Sequence, residues 1–330
     1  MEEKLLFTED VCDYIGNRNG GGNVNRSVRP PVKYGEVIMK VTGRGEKKMH
    51  DITSIIKKID SLKPIPQVAN KIISIAEDPE SSLHDLTKVI TYDSAVTANL
   101  LKIANSAYFG RPAKFNSIHQ AIVYLGMDLV VDLVLMASIA DNLKPEQTGY
   151  GLGKGDLWKY SVFSALIARE LAENKGMGKT HLIFTAALLK DIGKVILNQY
   201  VADAFQEINT MVIKKYVTFR EAEKQVVGID HAELGGMVAE SWNFSPKMVE
   251  IIQNHHQPQK SSISEIETSI VYLADTICMM MGVGIGLDGL AYRFHKEVID
   301  ILEFTDRDLQ EIMAMFGEKL QHVESLVSMS

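Results

Sequence analysis

Three groups of polar residues lie in otherwise apolar stretches of the chain. Between Leu182 and Leu197 the only charges are Lys190, Asp191 and Lys194, and between Thr268 and Leu287 the only charge is Asp275. An isolated carboxylate is costly to bury, so Asp191 and Asp275 must find a cation, a metal or strong hydrogen-bond donors. Histidines make the third group: His231 opens one predicted helix and His255-His256 closes the next. Imidazole and carboxylate together are the donor set of Zn, Fe, Mn or Ni centres. A plainer explanation stands beside this one. Adjacent histidines at a helix C-terminus are favoured by the helix dipole alone, and a buried Asp can simply pair with Lys190 or Lys194.

The first half carries its own polar set, Asn99, Asn105, Ser106, Tyr108 and Gln120. Asn105-Ser106 falls at a helix end, where satisfying backbone groups and fixing the turn into Tyr108-Phe109-Gly110 is favoured over a ligand role. Met279-Met280-Met281 reads as core filling. The glycines Gly282, Gly284 and Gly286 lack the Walker lysine and preceding strand that a phosphate-cradling loop requires.

The elements that must position these groups read as helices from about His50 onward. Ile52, Ile55, Ile56 and Ile59 form one stripe, and Val68, Ile72, Ile73 and Ile75 a second, stopped at Asp78-Pro79. Ser82 and Asp85 resemble a capping box, Asp93 an N-cap, and Ser117 the start of a helix that meets Gly126. A long apolar segment then runs from Met127 to Ala140. Residues 144–155, with Pro145, Gly149, Gly151, Gly153 and Gly155, read as an internal linker. Helices are expected beyond it near 156–174, 180–200, 202–215, 218–227, 231–242, 246–255, 264–281, 289–302 and 306–326. No alternating strand pattern or fixed repeat is present. The expected fold is all-α, with helical lobes at about 49–143 and 156–282 and C-terminal helices over 283–330 packing on them. Residues 1–48 read as an irregular extension with a short strand near Glu36–Val41.

Composition narrows the function. The 330 residues are 46% hydrophobic and 23% charged, with 35 Lys plus Arg against 42 Asp plus Glu and a net charge of −7. That balance argues against nucleic acid as the main partner. The two cysteines, Cys12 and Cys278, make no disulfide framework, which suits a reducing cytoplasm. Glu2, Glu3, Glu9, Asp10 and Asp13 are at odds with a secretory signal. Asp128, Asp132 and Asp275 interrupt the longest apolar runs, so no membrane insertion is expected.

Leu62-Lys-Pro-Ile-Pro-Gln-Val68, Leu100-Leu-Lys-Ile-Ala-Asn-Ser-Ala-Tyr-Phe-Gly110 and Ser117-Ile-His-Gln-Ala-Ile-Val-Tyr-Leu-Gly126 resemble the HDOD domain, the HD-related output domain of bacterial signalling proteins. Leu188-Leu-Lys-Asp-Ile-Gly-Lys194, Asp230-His-Ala-Glu-Leu-Gly235, His255-His256 and Leu273-Ala-Asp275 continue the likeness in order, over about residues 50–280. The resemblance implies an all-α, HD-like helical fold related to HD and HD-GYP phosphohydrolases. In those enzymes an early His, an adjacent His-Asp pair and a later Asp converge on divalent metal. Here Tyr160 stands at the place of the first His, and Lys190-Asp191 at the His-Asp pair. Asp275 matches the final Asp, while His231, His255 and His256 match the additional histidines of HD-GYP relatives. The Gly-Tyr-Pro element is missing, because His256 is followed by Gln257-Pro258-Gln259-Lys260. Lys194 aligns with a lysine near the substrate phosphate.

A protonated ammonium cannot coordinate metal, and beside Asp191 it should stay protonated. Lys190 is therefore expected to supply a fixed positive charge to Asp191 and Asp275, with no catalytic residue and no cofactor. The alternative keeps a partial site at Asp191, His231, His255, His256 and Asp275 for a divalent Fe, Mn, Ni or Zn ion, and with it a metal-dependent phosphohydrolase. The expected role is bacterial cytoplasmic signal transduction through other signalling proteins, with nucleotide binding through Lys194 and the histidines as a further reading.

Overall fold

The computed structural model describes Leu5–Leu6 and residues 52–329, apart from 66, 79, 107–108, 110–113, 179, 285, 291 and 319. The expected strand near Glu36–Val41, and Tyr108, lie outside the described residues. The first lobe is built from α1 (Ile52–Lys57), α2 (Gln67–Glu77), α3 (Leu83–Thr91), α4 (Ser94–Ala104), α5 (Ile118–Leu125) and α6 (Met127–Leu143). The second follows with α7 (Asp156–Asn174), α8 (His181–Leu189), α9 (Ile192–Lys215), α10 (Phe219–Val227), α11 (His231–Ser241), α12 (Pro246–Asn254) and α13 (Glu265–Met280). Then come α14 (Glu297–Leu302), α15 (Asp306–Glu318) and α16 (Leu320–Met329). Among the described residues, extended pairing is confined to the antiparallel ladder of β1 (Leu5–Leu6) with β2 (Tyr292–Arg293) and a bridge between Gln147 and Leu152.

The helix starts follow from side chains that satisfy orphan amides. Ser82 with Asp85 and Thr218 with Glu221 form reciprocal capping boxes. Asp93 accepts from two amides of α4, and Ser245 caps α12 with Pro246 in its first turn. Asn105 fixes a turn, as its residue type predicts: Oδ1 accepts from Phe115 N at 2.7 Å and Nδ2 donates to Phe115 O at 3.2 Å.

Helix α6 is the axis of the molecule. It packs against α2, α4 and α5 on one side and α7, α8 and α9 on the other, and its burial extends around most of its circumference. The main apolar core consequently runs from Ile55 to Leu326 through both lobes, with a small second cluster of Ala104, Phe115 and Ala121. Asp132 of α6 is fully buried and accepts from Arg169 Nη1 of α7 at 2.8 Å, so a polar contact also joins the lobes.

The Gly-rich segment 144–155 differs from a free linker. Tyr150 and Leu152 are buried, and the turn Thr148–Tyr150 packs on α9. Gly149 N donates to Asn198 Oδ1 at 2.8 Å, and a Cβ at Gly149 would lie 2.2 Å from Asn198 O. Here glycine serves close approach rather than flexibility.

Three helix boundaries also differ from the pattern-based expectation, one of them being that the helix expected over 306–326 is described as α15 and α16. The chain breaks at Lys190-Asp191 rather than after Tyr200, because Asp191 (φ −98°, ψ 9°) leaves the helix where its carboxylate meets buried cations. Instead of one helix over 289–302 there is a turn at Leu287–Leu290, then β2, then α14. His295 N donates to Tyr272 OH at 2.8 Å, so a helix's carbonyls are not needed there. Trp158 Nε1 donates to Val327 O at 3.1 Å, and α15 and α16 pack on α7, with α16 also reaching α4.

Candidate functional site

Every site residue singled out from the sequence converges on one buried cluster. Lys190 and Asp191 occupy the turn between α8 and α9, and Lys194 follows one helical step later. Tyr160 projects from α7, His231 from the first turn of α11, His255 and His256 from the end of α12, and Asp275 from α13. Gly193 makes this possible: a Cβ there would lie 2.0 Å from His231 O, so only glycine lets α9 start against α11.

Lys190 is fully buried and bridges two carboxylates. Its ammonium pairs with Asp191 Oδ2 and lies 2.5 Å from Asp275 Oδ1. Tyr160 OH donates to the same Asp275 Oδ1 at 2.7 Å, and the Lys190 ammonium sits 4.4 Å from the centre of the Tyr160 ring. Lys194 Nζ lies 2.8 Å from Asp191 Oδ1 and 2.6 Å from Asp288 Oδ2.

Burial pulls the Lys190 pKa down, but Asp191 and Asp275 outweigh it and the net shift is upward. Burial pushes the Asp191 carboxyl up, yet Lys190 and Lys194 carry it well below the usual carboxylate range. Asp275 follows the same balance: burial raises it, Lys190 lowers it, and the net shift is downward. These three groups are therefore all ionised at neutral pH.

The histidines form an adjoining cluster. Glu223, fully buried on α10, accepts from His231 N at 2.8 Å and lies 2.8 Å from His231 Nδ1, while Tyr150 OH donates to its other oxygen. Burial pulls the His231 pKa down but Glu223 more than restores it. His231 Nε2 is 2.9 Å from His256 Nε2. His255 Nδ1 donates to Ile252 O at 2.7 Å, which leaves a buried Nε2 lone pair with no hydrogen-bond partner. Burial pushes His255 down to about 3 and His256 well below its ordinary value, so both are neutral.

The histidine donors lie close enough together to share a divalent ion. One ligating atom from each of His231, His255 and His256 lies within 4.8 Å of the others, and Asp191 Oδ1 is 3.7 Å from His231 Nε2 and 3.9 Å from His255 Nε2. The neutral His255 and His256, with the bare His255 lone pair, suit a single borderline ion, for which His231 would have to give up the proton that Glu223 favours. A two-ion centre does not fit, because both oxygens of Asp191 and one of Asp275 are engaged by ammonium groups.

Glu223, Tyr150 and Asp288 are site residues that sequence reasoning missed. Glu223 did carry a signal, since it is a charge on the stripe of α10 made by Phe219, Ala222 and Val227. Tyr150 was hidden inside the Gly-rich segment, and nothing local distinguishes Asp288 from an ordinary loop acid.

The model of the HDOD domain matches residues 62–258, more than half of the chain. The protein belongs to the HDOD family. Among solved structures it is similar to an HDOD domain protein of unknown function from Geobacter sulfurreducens, with 23% identity, 84% of this chain and 98% of that chain covered, and a TM-score of 0.65. It is also similar to a chain from Marinobacter aquaeolei VT8, provisionally named a signal transduction protein, with 20% identity, 89% and 64% coverage and a TM-score of 0.69. A third, from Shewanella amazonensis SB2B and provisionally named a phosphohydrolase, is 21% identical with 83% and 97% coverage and a TM-score of 0.61. At these identities the likeness speaks for the all-α fold alone. An uncharacterized protein of Treponema pallidum (strain Nichols) is 24% identical over 203 residues, a match that spans 60% of this chain and 38% of that protein. No helix among the described residues is long and apolar enough to cross a membrane.

Proposed function

We propose that this HDOD protein is a non-hydrolytic regulatory module of bacterial cytoplasmic signalling, in which the Lys190 ammonium replaces the catalytic ions of HD-type relatives. The observation that carries this reading is the simultaneous contact of Lys190 with Asp191 and Asp275. A dication seated on those carboxylates would face an ammonium at contact distance, and displacing Lys190 would strand a buried cation. Tyr160 supports the same reading, since its hydroxyl donates to Asp275 from the place that the resemblance gives to the first His of HD-type hydrolases. Function then lies in binding partner proteins or a small ligand.

The histidine cluster favours one rival reading. A single ion on His231, His255 and His256 would supply a Lewis acid able to activate water, and with Lys194 nearby would make a metal-dependent phosphohydrolase. Elemental analysis of purified protein, followed by a phosphodiester assay with Mn(II) and Fe(II), decides between them. Substoichiometric metal without turnover is the expected result; stoichiometric metal with turnover overturns the proposal.

A further inference from the structure

We propose that the surface of α7 and α4 covered by α16 is a helix-docking site shared between molecules, and that its partner is α16 of a second copy of this chain, exchanged for the resident helix. The inference goes beyond the function proposed above and does not depend on the state of the Lys190 cluster.

Helix α16 is amphipathic. Leu320, Val323, Leu326 and Val327 fall on one stripe, with Val323 and Leu326 fully buried in the core, while Gln321, His322, Glu324 and Ser328 face solvent. The helix packs on α7 of the second lobe and α4 of the first. Two polar contacts fix its register on α7: Trp158 Nε1 donates to Val327 O at 3.1 Å, and Lys159 pairs with Glu324.

The joint before α16 carries a glycine that packing does not explain. Gly317 lies in the last turn of α15 and is not among the glycines of positive φ. Among the described residues outside its own helix, nothing stands within 4 Å of where its Cβ would be. Neither a left-handed turn nor close approach therefore calls for glycine, which costs about 1 kcal/mol relative to Ala inside a helix. Backbone freedom is the property that remains. Upstream of it, α15 stays anchored through Leu309, Ile312 and Phe316.

Undocking has two consequences that name the occupant. The 10 residues of α16 are too few to hold a helix in water, so a released α16 unfolds unless it finds another apolar seat. The seat it leaves exposes Trp158, otherwise 1% exposed, together with the apolar surface that Val323 and Leu326 covered. A second molecule in the same condition answers both needs. Its α16 carries the matching stripe, and its Glu324 meets Lys159 as the resident one did. Reciprocal exchange repeats the contacts of the closed molecule and adds only association. The short connection at Gly317 keeps each helix near its own seat at an effective concentration of roughly millimolar, so exchanged dimers are the minor species at micromolar protein.

The test reverses this ion pair in the full chain at low salt. Lys159→Glu alone and Glu324→Lys alone each set like charges against one another within a molecule. In an equimolar mixture, exchange restores opposite charges at both seats. Native mass spectrometry with one variant isotopically labelled should show the heterodimer about tenfold above either homodimer. The Lys159→Glu/Glu324→Lys double variant, matched within one chain, should behave as wild type. Monomer throughout the mixture, or dimers that form with no preference for the mixed pair, overturns the proposal. The two side chains are 30% and 45% exposed, so neither reversal threatens the core, and Lys159→Asp with Glu324→Arg repeats the test should a variant aggregate. The outcome is read without metal or turnover. Failure here leaves the reading of Lys190 standing, and metal-dependent hydrolysis would overturn that reading without touching helix exchange.

Discussion

The Lys190 ammonium lies 2.5 Å from Asp275 Oδ1, tying the turn before α9 to the middle of α13. Because it also pairs with Asp191, one cation neutralises carboxylates from two elements. Replacing it with an isostere of no charge, Lys190→Met, leaves both carboxylates buried without it. The expected loss is about 3–5 kcal/mol of unfolding free energy, read from urea titrations. Adding Asp275→Asn should recover part of that loss, and full additivity of the two changes would show that they do not interact.

Lys190→His should change metal content as well as stability. The substitution removes the ammonium and places an imidazole beside Asp191, which restores the donor pair of HD-type relatives. Purified Lys190→His protein is expected to retain more Mn or Fe than wild type by mass spectrometry. Identical low metal in both would mean that Lys190 is not what keeps ions out.

Acid should destabilise the fold in two stages. His255 is held down to about 3 against an ordinary 6.5, and His256 shifts the same way, so the unfolded chain binds their protons first. Their contribution is complete above about pH 6.5 and is lost as pH falls toward about 3. His231 shifts upward and opposes them below its own raised pKa, but it is one group against two. Asp191 and Asp275, held low after folding, withdraw their stabilisation below about pH 4. Melting temperature should fall from pH 7 to pH 5 and more steeply below 4, and His255→Gln should flatten the first stage.

Two ion pairs allow a contrast. Arg169→Met removes the donor to the fully buried Asp132, whose carboxyl burial already pushes up, and should cost about 1–3 kcal/mol, whereas Lys63→Met breaks an exposed pair with Asp141 and should cost under about 1 kcal/mol. Equal losses would show that burial does not set the cost.

Gly193→Ala tests the helix contact under the site. Its methyl would fall 2.0 Å from His231 O, a backbone atom that cannot swing aside. Destabilisation of about 1–3 kcal/mol or more is expected, with the paired histidines displaced. A variant as stable as wild type would mean that α9 and α11 separate freely.

Most helices were legible because their signals are local: caps at Ser82, Asp93, Thr218 and Ser245, and apolar stripes between them. The charges in apolar runs likewise marked Lys190, Asp191 and Asp275. What escaped depended on distant partners. The turn that carries Asp288 is held by Gly151 and Tyr150, more than a hundred positions earlier, and no window around it shows this. The break at Asp191 is set by electrostatics inside the fold rather than by a helix-stopping residue. Segment 144–155 has a linker's composition, but its glycines answer to Asn198 and Leu287.

The indole of Trp158 hydrogen-bonds to Val327, two positions before Tyr160 on the same helix. Force applied to α16 therefore has a short rigid lever, less than one helical turn of α7, on the phenol that holds Asp275. Trp158 is also an intrinsic optical probe there: peeling α16 away would shift its emission, so undocking can be timed against events in the buried charge cluster without attaching a dye.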